Sequence, residues 1–211
     1  MKITAVMVTG AIRGFPRMAQ VAVECFHNQD YPDRELLVIN QGSVDYSGPN
    51  IKQIFVYRPF SLYVGIFRNM AFHFATGDYL MTWDDDDWYS PQRMSFQAPY
   101  AAPNTIVMVK NRIQGDLQTG VYGVRASEPG FMGSMLYPKA TEHRFLNVQN
   151  GSDAVFASNF ENQIVLDNPP ELYVRNWHGQ NLTAREEVMR NLTPLVVGQA
   201  ELIERLKAIY H

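Results

Sequence analysis

Tyr79-Leu80-Met81-Thr82-Trp83-Asp84-Asp85-Asp86-Asp87 joins a short apolar run to four consecutive carboxylates. The apolar part reads as a buried strand, and the acids stand where the chain leaves the core. Neighbouring carboxylates a few ångströms apart repel by about 1 kcal/mol in water, and several-fold more when partly buried. A core strand gains nothing from ending in such a cluster unless a positive charge sits beside it. Hard oxygen donors at this density suit Mg²⁺ or Mn²⁺, ions that commonly carry a substrate diphosphate. A strand continuing through the run would place Asp84 and Asp86 on one face, Asp85 and Asp87 on the other. The competing reading is a solvated acidic turn or a loose surface calcium loop. The buried strand in front and the flanking Trp83, Trp88 and Tyr89 weigh against it.

Outward from this run, strand-like and helix-like segments alternate. Ile3 to Thr9 reads as a first strand, Gly10-Ala11-Ile12-Arg13-Gly14 as a loop, and Pro16 as a helix start ahead of Met18, Val21, Ala22 and Cys25 at helical spacing. Glu35 to Ile39 reads as a second strand closed by Asn40-Gln41-Gly42-Ser43, and Ile54 to Tyr57 as a third. Val64 to Ala75 has a helical pattern, with Gly77 as its C′ glycine. Pro91 opens a helix toward Tyr100. This alternation predicts an α/β fold with a mixed, mostly parallel central sheet flanked by helices. Ligands then sit beyond the carboxyl ends of the strands, where both the Asn40 turn and the aspartates fall.

The second half differs. Ile106 to Lys110, Val121 to Val124, Gly133 to Tyr137 and Glu171 to Arg175 read as strands, and Ser152 to Phe160 as a helix capped by Ser152 or Asp153. Ala184 to Asn191 and Pro194 to Tyr210 read as terminal helices. With 211 residues, 46% hydrophobic, the chain suits a single domain. About residues 1–100 are expected to form a nucleotide-binding half, 101–183 a substrate-shaping half, and 184–211 a helical end.

The net charge of -3 comes without a basic block, so stable nucleic-acid binding is not expected. The sole cysteine, Cys25, excludes an intrachain disulfide and favours a reducing compartment; core packing is its expected role. No window approaches the roughly 20 apolar residues of a membrane helix, and the N-terminal run is too short and β-branched for a signal peptide. A cytoplasmic protein is the expectation.

Several segments, in order, resemble the family-two inverting glycosyltransferases of the GT-A fold. They are Gln29 to Ile39 with Tyr31-Pro32, Gly42-Ser43, Arg68-Asn69, Ala75 to Tyr79, Asp84 to Asp87 with Pro91, and Gly133 to Pro138. Gly151-Ser152-Asp153 and Leu172 to Asn181, which carries His178, complete the set. The resemblance implies a nucleotide-sugar donor, UDP-sugar favoured, and a Mn²⁺ or Mg²⁺ cofactor. It assigns Asp86 to the metal, Asp84 to ribose and metal, and His178 to a further ligand or a diphosphate contact. Asn40, Arg68, Asp84 and Asp85 become donor-binding residues, and Asp153 the catalytic base. Arg68 meets diphosphate or pairs with Asp78 or Asp85. The chain departs from the family where Asn40-Gln41 replaces a pair of acids, so Asn40 would receive a uracil N–H through an uncharged amide oxygen. Glycans or lipid-linked sugars are the common acceptors, with a modified nucleobase or a protein as alternatives. Two other readings remain: a noncatalytic nucleotide-sugar or metal-binding module, and a sugar-phosphate nucleotidyltransferase, whose glycine-rich basic loop Gly10-Ala11-Ile12-Arg13-Gly14 echoes faintly.

Overall fold

The computed structural model describes residues 1–10, 16–56, 63–179, 181 and 183–210. Most of the loop expected at 10–14, and Tyr57, lie outside the described residues. In chain order the elements are β1 (Ile3–Thr9), α1 (Pro16–His27), β2 (Arg34–Asn40), β3 (Ile51–Phe55), α2 (Val64–Phe74), β4 (Tyr79–Thr82) and β5 (Trp88–Tyr89). There follow α3 (Arg93–Gln97), β6 (Thr105–Val109), β7 (Asn111–Asp116), β8 (Val121–Ala126), β9 (Leu136–Pro138) and α4 (Ser152–Ser158). The chain closes with β10 (Asn162–Leu166), β11 (Tyr173–Trp177), α5 (Arg185–Val188) and α6 (Val197–Tyr210).

Seven strands form a sheet in the order β10-β6-β9-β4-β1-β2-β3. It is parallel except at β9, which runs against both β4 and β6. Both faces are covered, which is why β1 reads as a mostly apolar run. The period-2 alternation splits that run between two cores. Ile3, Ala5 and Met7 pack with Ala19, Ala22 and Phe26 of α1, together with Leu36, Val38 and Met81. Val6, Leu37 and Leu80 turn the other way, onto Phe67, Ala71 and Phe72 of α2 and Phe156 of α4. Cys25 belongs to the first core, where burial pushes its thiol up to about 12.

Four strands form a second sheet, β5-β11-β7-β8, which the sequence reading did not separate. Its Ile113 and Val174, register partners, pack on Leu202, Ile203 and Leu206 of α6. Helix α6 therefore covers one face of this sheet.

Several boundaries differ from expectation. The third strand lies three residues earlier than Ile54, because Ile51 already pairs with Leu36. Gly77 is not a left-handed cap, since α2 ends in an extended Ala75. A Cβ at Gly77 would instead stand 2.7 Å from the Thr4 nitrogen, so glycine is required there by close approach to β1. The cap of α4 is Gly151, at φ 82, rather than Ser152 or Asp153. No helix among the described residues is long and apolar enough to cross a membrane.

Candidate active site

Strand β4 stops at Thr82, and Asp84–Asp87 form a turn rather than a continued strand, so the expected alternation of faces does not apply. The turn is held from below. Tyr89 donates its hydroxyl to the Asp84 carbonyl (2.9 Å), and Asn176 Nδ2 donates to the Asp86 carbonyl (3.0 Å). Asp87 points inward, 3% exposed, and accepts from the Tyr173 hydroxyl (2.5 Å) and the Asn176 N–H (3.0 Å). Burial first, then the charges of Asp86 and Asp84, raise its carboxyl well above the ordinary range. Asp87 fastens the turn to β11. Asp85 is also buried, lines neither cavity described below, and its charge falls on Tyr46.

Asp84 and Asp86, with the buried Asp87, line a cavity of about 120 Å³ together with Arg68, Asp153 and Arg175 among others. Arg68, on the buried face of α2, donates Nη2 to Asp84 Oδ1 (2.7 Å) and Nη1 to Asp153 Oδ1 (2.5 Å). Burial alone would lower its affinity for a proton, but the charges of Asp153 and Asp84 outweigh this and keep it firmly cationic. Asp153 comes from the first turn of α4, far from Asp84 in sequence, and one guanidinium joins them. The pairings expected with Asp78 or Asp85 are replaced by these; Asp78 instead accepts from the Lys2 N–H (2.9 Å). Asp86 Oδ2 lies 3.2 Å from His178 Nε2 and accepts from Asn181 Nδ2 (3.1 Å).

A larger cavity of about 640 Å³ shares Asp84, Asp153, Arg175 and Thr183 with the first and extends toward the second sheet. Its far wall carries Arg112 and Arg125, neither singled out by the sequence reading. The only signal for them was apolar–polar alternation in Arg112-Ile113-Gln114 and Val124-Arg125, which gives no pairing.

Not every expected residue reaches the site. Asn40 is 1% exposed, and its amide is engaged at both ends: Nδ2 donates to the Val44 carbonyl (2.6 Å) and Oδ1 accepts from the Gly42 N–H (2.7 Å). In this geometry Asn40 builds the turn after β2 rather than presenting its oxygen to a base. Gly10 permits that turn to close on β1, because a Cβ there would lie 2.4 Å from the Gly42 nitrogen. His178 is buried and sits against Asp86, its Nε2 3.2 Å from Asp86 Oδ2, outside the residues that line the smaller cavity. Asp116, another acid of the second half, is 1% exposed and bound to Arg185 Nε (2.5 Å), outside the lining of both cavities.

Among the described residues no three His, Cys, Asp or Glu side chains converge in a metal-holding arrangement. A small divalent ion held with a substrate diphosphate needs no such cage, because one or two carboxylates suffice and phosphates complete the shell. Asp84 and Asp86 on the cavity wall fit that mode.

Comparison with curated proteins gives no significant sequence match. Among solved structures, residues 1–349 of S. aureus TarS superpose with a TM-score of 0.63 at 15% identity, covering 83% of this chain and 60% of that one. The same fragment in complex with UDP-GlcNAc gives 0.65 at 15% identity, covering 100% and 66%, and its complex with UDP gives 0.60 at 16%, covering 96% and 69%. In the first two comparisons this chain spans less than two thirds of the TarS fragment. At such identity the likeness is one of fold, and it agrees with the mostly parallel sheet described above. The pattern of glycosyl transferase family 2 matches residues 16–161, a span that contains α1, Arg68, the aspartate turn and Asp153. The chain belongs to glycosyl transferase family 2.

Proposed function

We propose that this chain transfers a sugar from a nucleoside-diphosphate sugar to an acceptor hydroxyl with inversion at the anomeric carbon. The observation that carries this reading is Arg68, which ties Asp84 at the strand end to Asp153 at the boundary between two cavities. The smaller cavity suits the donor diphosphate, and the larger suits the acceptor. About residues 1–100 then serve the donor, 101–183 shape the acceptor side, and 184–211 support the second sheet through α6. The shared fold with TarS structures holding UDP-GlcNAc and UDP supports a UDP-sugar as first candidate.

The chemistry follows from the residues. The acceptor oxygen bonds to the anomeric carbon as the bond from that carbon to the diphosphate oxygen breaks on the opposite face. Asp153 takes the hydroxyl proton as general base. Arg68 holds one of its oxygens and thereby fixes the direction of the other. Asp84 and Asp86 would hold Mn²⁺ or Mg²⁺, which when bound supplies Lewis-acid neutralisation of the departing diphosphate. His178 and Asn181 contact Asp86 and orient its carboxylate.

A panel of UDP-, GDP- and dTDP-sugars with Mn²⁺, scored by calorimetry and by slow donor hydrolysis, tests this. UDP-sugar binding that is lost on chelation is expected. A guanine nucleotide preferred by more than about tenfold, or about 1.4 kcal/mol, overturns the uridine choice. Donor binding with neither hydrolysis nor transfer to any acceptor leaves a noncatalytic binding module.

A further inference from the structure

The second sheet is built with one oily face and one cationic face. Ile113, Val174 and Val124 point to α6. On the opposite side of the same strands stand Arg112, Gln114, Arg125 and Arg175, because Arg112 pairs directly across from Arg125, and Gln114 across from both Gly123 and Arg175. Two arginines directly opposite on neighbouring strands repel, at a cost of up to about 1 kcal/mol. The fold places a third beside them. Among the described residues none of the three is in ion-pair contact with a carboxylate.

What holds them is neutral. Arg112 is 2% exposed; it donates to Gln114 Oε1 (2.7 Å) and Ser127 Oγ (2.6 Å) and lies 4.0 Å over the Phe131 ring. Arg175 donates to Thr183 Oγ1 (2.9 Å), and Arg125 to the Glu187 carbonyl (2.6 Å). Burial, with Arg175 and Arg125 next, pushes the Arg112 guanidinium down to about 9, and the charges of Tyr173 and Asp87 offset this only in part. All three line the larger cavity. The acids there are Asp84 and Asp153, already claimed by Arg68, and the exposed Glu187.

We infer that this arginine face is an anion subsite for the acceptor, and that the acceptor is a phosphate-bearing sugar whose phosphate sits among Arg112, Arg125 and Arg175 while its hydroxyl meets Asp153. A planar carboxylate is satisfied by a single guanidinium fork, whereas a tetrahedral phosphate accepts from several directions at once. Three guanidinium groups on one sheet face match the second. The subsite rests on the donor–acceptor division made above, and the test separates the two.

Wild-type protein and Arg125→Gln are titrated with glucose 6-phosphate, glucuronate and glucose, with and without UDP, and UDP affinity is measured for each protein. Glucose 6-phosphate binding is expected with UDP present, glucose binding at least about tenfold weaker, and loss of the difference in Arg125→Gln with UDP affinity unchanged. Arg112→Gln should act in the same direction; if it does not fold, the half-exposed Arg125 still decides. Glucose 6-phosphate failing to bind wild type, or binding Arg125→Gln equally well, overturns the subsite. UDP affinity falling in step with glucose 6-phosphate assigns these arginines to the donor and also overturns it. Glucuronate binding more tightly than glucose 6-phosphate overturns the choice of phosphate. If UDP fails to bind wild type while the Arg125-dependent phosphate binding persists, the donor reading fails and the subsite stands.

Discussion

The two walls of the site are built on opposite plans. The acidic wall comes from consecutive residues at the end of β4, and its charges are matched by nearby donors: Arg68 for Asp84, His178 and Asn181 for Asp86, Tyr173 and Asn176 for Asp87. The cationic wall comes from three strands of the second sheet, and its charges are held by neutral oxygens and an aromatic ring. A wall whose charges are matched within the protein can be preorganised for chemistry. A wall whose charges are left over is suited to an outside partner. Arg68 and Asp153 stand where the walls meet.

The sharpest way to break this contrast is Asp153→Asn. The amide keeps an oxygen for Arg68 but cannot take the acceptor proton, so turnover should fall by about 10²- to 10⁴-fold with donor affinity nearly unchanged. A transfer assay beside calorimetry reads both. Wild-type turnover would reduce Asp153 to a structural partner of Arg68. Next in size, Asp86→Ala should remove Mn²⁺-dependent donor affinity by about 100-fold, or about 2.7 kcal/mol, with circular dichroism unchanged. Donor affinity equal to wild type in the presence of Mn²⁺ would dissociate the acidic wall from metal and diphosphate.

Arg68→Met probes the junction. Methionine fills much of the volume but leaves Asp84 and Asp153 without their shared donor. Both carboxylates keep about a quarter to a third of their surface in water, so the cost should be about 1–3 kcal/mol in urea unfolding, below that of a fully buried pair. No loss would mean that the bridge serves orientation alone.

The smallest effect belongs to Asp116, on the second sheet. Burial raises its carboxyl, but the Arg185 bond and the N–H groups of Thr119 and Gln118 outweigh burial and hold it below its ordinary value. A depressed carboxyl stabilises the fold above its unfolded value, near 3.9, and that contribution disappears as pH falls through the lower folded value. Asp116→Asn should therefore cost about 1 kcal/mol at pH 7 and progressively less as the pH falls below about 4. A constant difference at every pH would show that packing, rather than charge, makes this contact.

Much of the central sheet was legible because each strand carries its own signal. Ile3–Thr9, Arg34–Asn40 and Tyr79–Thr82 are short apolar runs bounded by turn residues, and their order alone implies parallel pairing. The β3 boundary was misread because Ile51-Lys52-Gln53 is half polar at a sheet edge, where exposure permits it. Gly77 was misread because a glycine needed for close approach looks the same in sequence as one needed for a left-handed turn. Asp84, Asp86, Arg68 and Asp153 were legible as a set through the family resemblance, but the bond from Arg68 to both acids was not, since α2 and α4 meet only in the folded chain. His178 was recognised as near the acids, and its 3.2 Å approach to Asp86 depends on how β11 ends.

The sequence by itself determined the fold class and the acidic wall, because hydrophobic periodicity and a run of like charges are local and survive without knowledge of partners. Only the tertiary structure decided what each aspartate does. Asp84, Asp86 and Asp87 line a cavity while Asp85 lies outside it, and Asp87 is engaged by Tyr173 and Asn176, a division set by the turn that ends β4 rather than by strand alternation. The cationic wall belongs wholly to the tertiary level. Arg112, Arg125 and Arg175 are scattered along the chain, and strand register alone places them on one face, since a slip of one residue would send each to the opposite side.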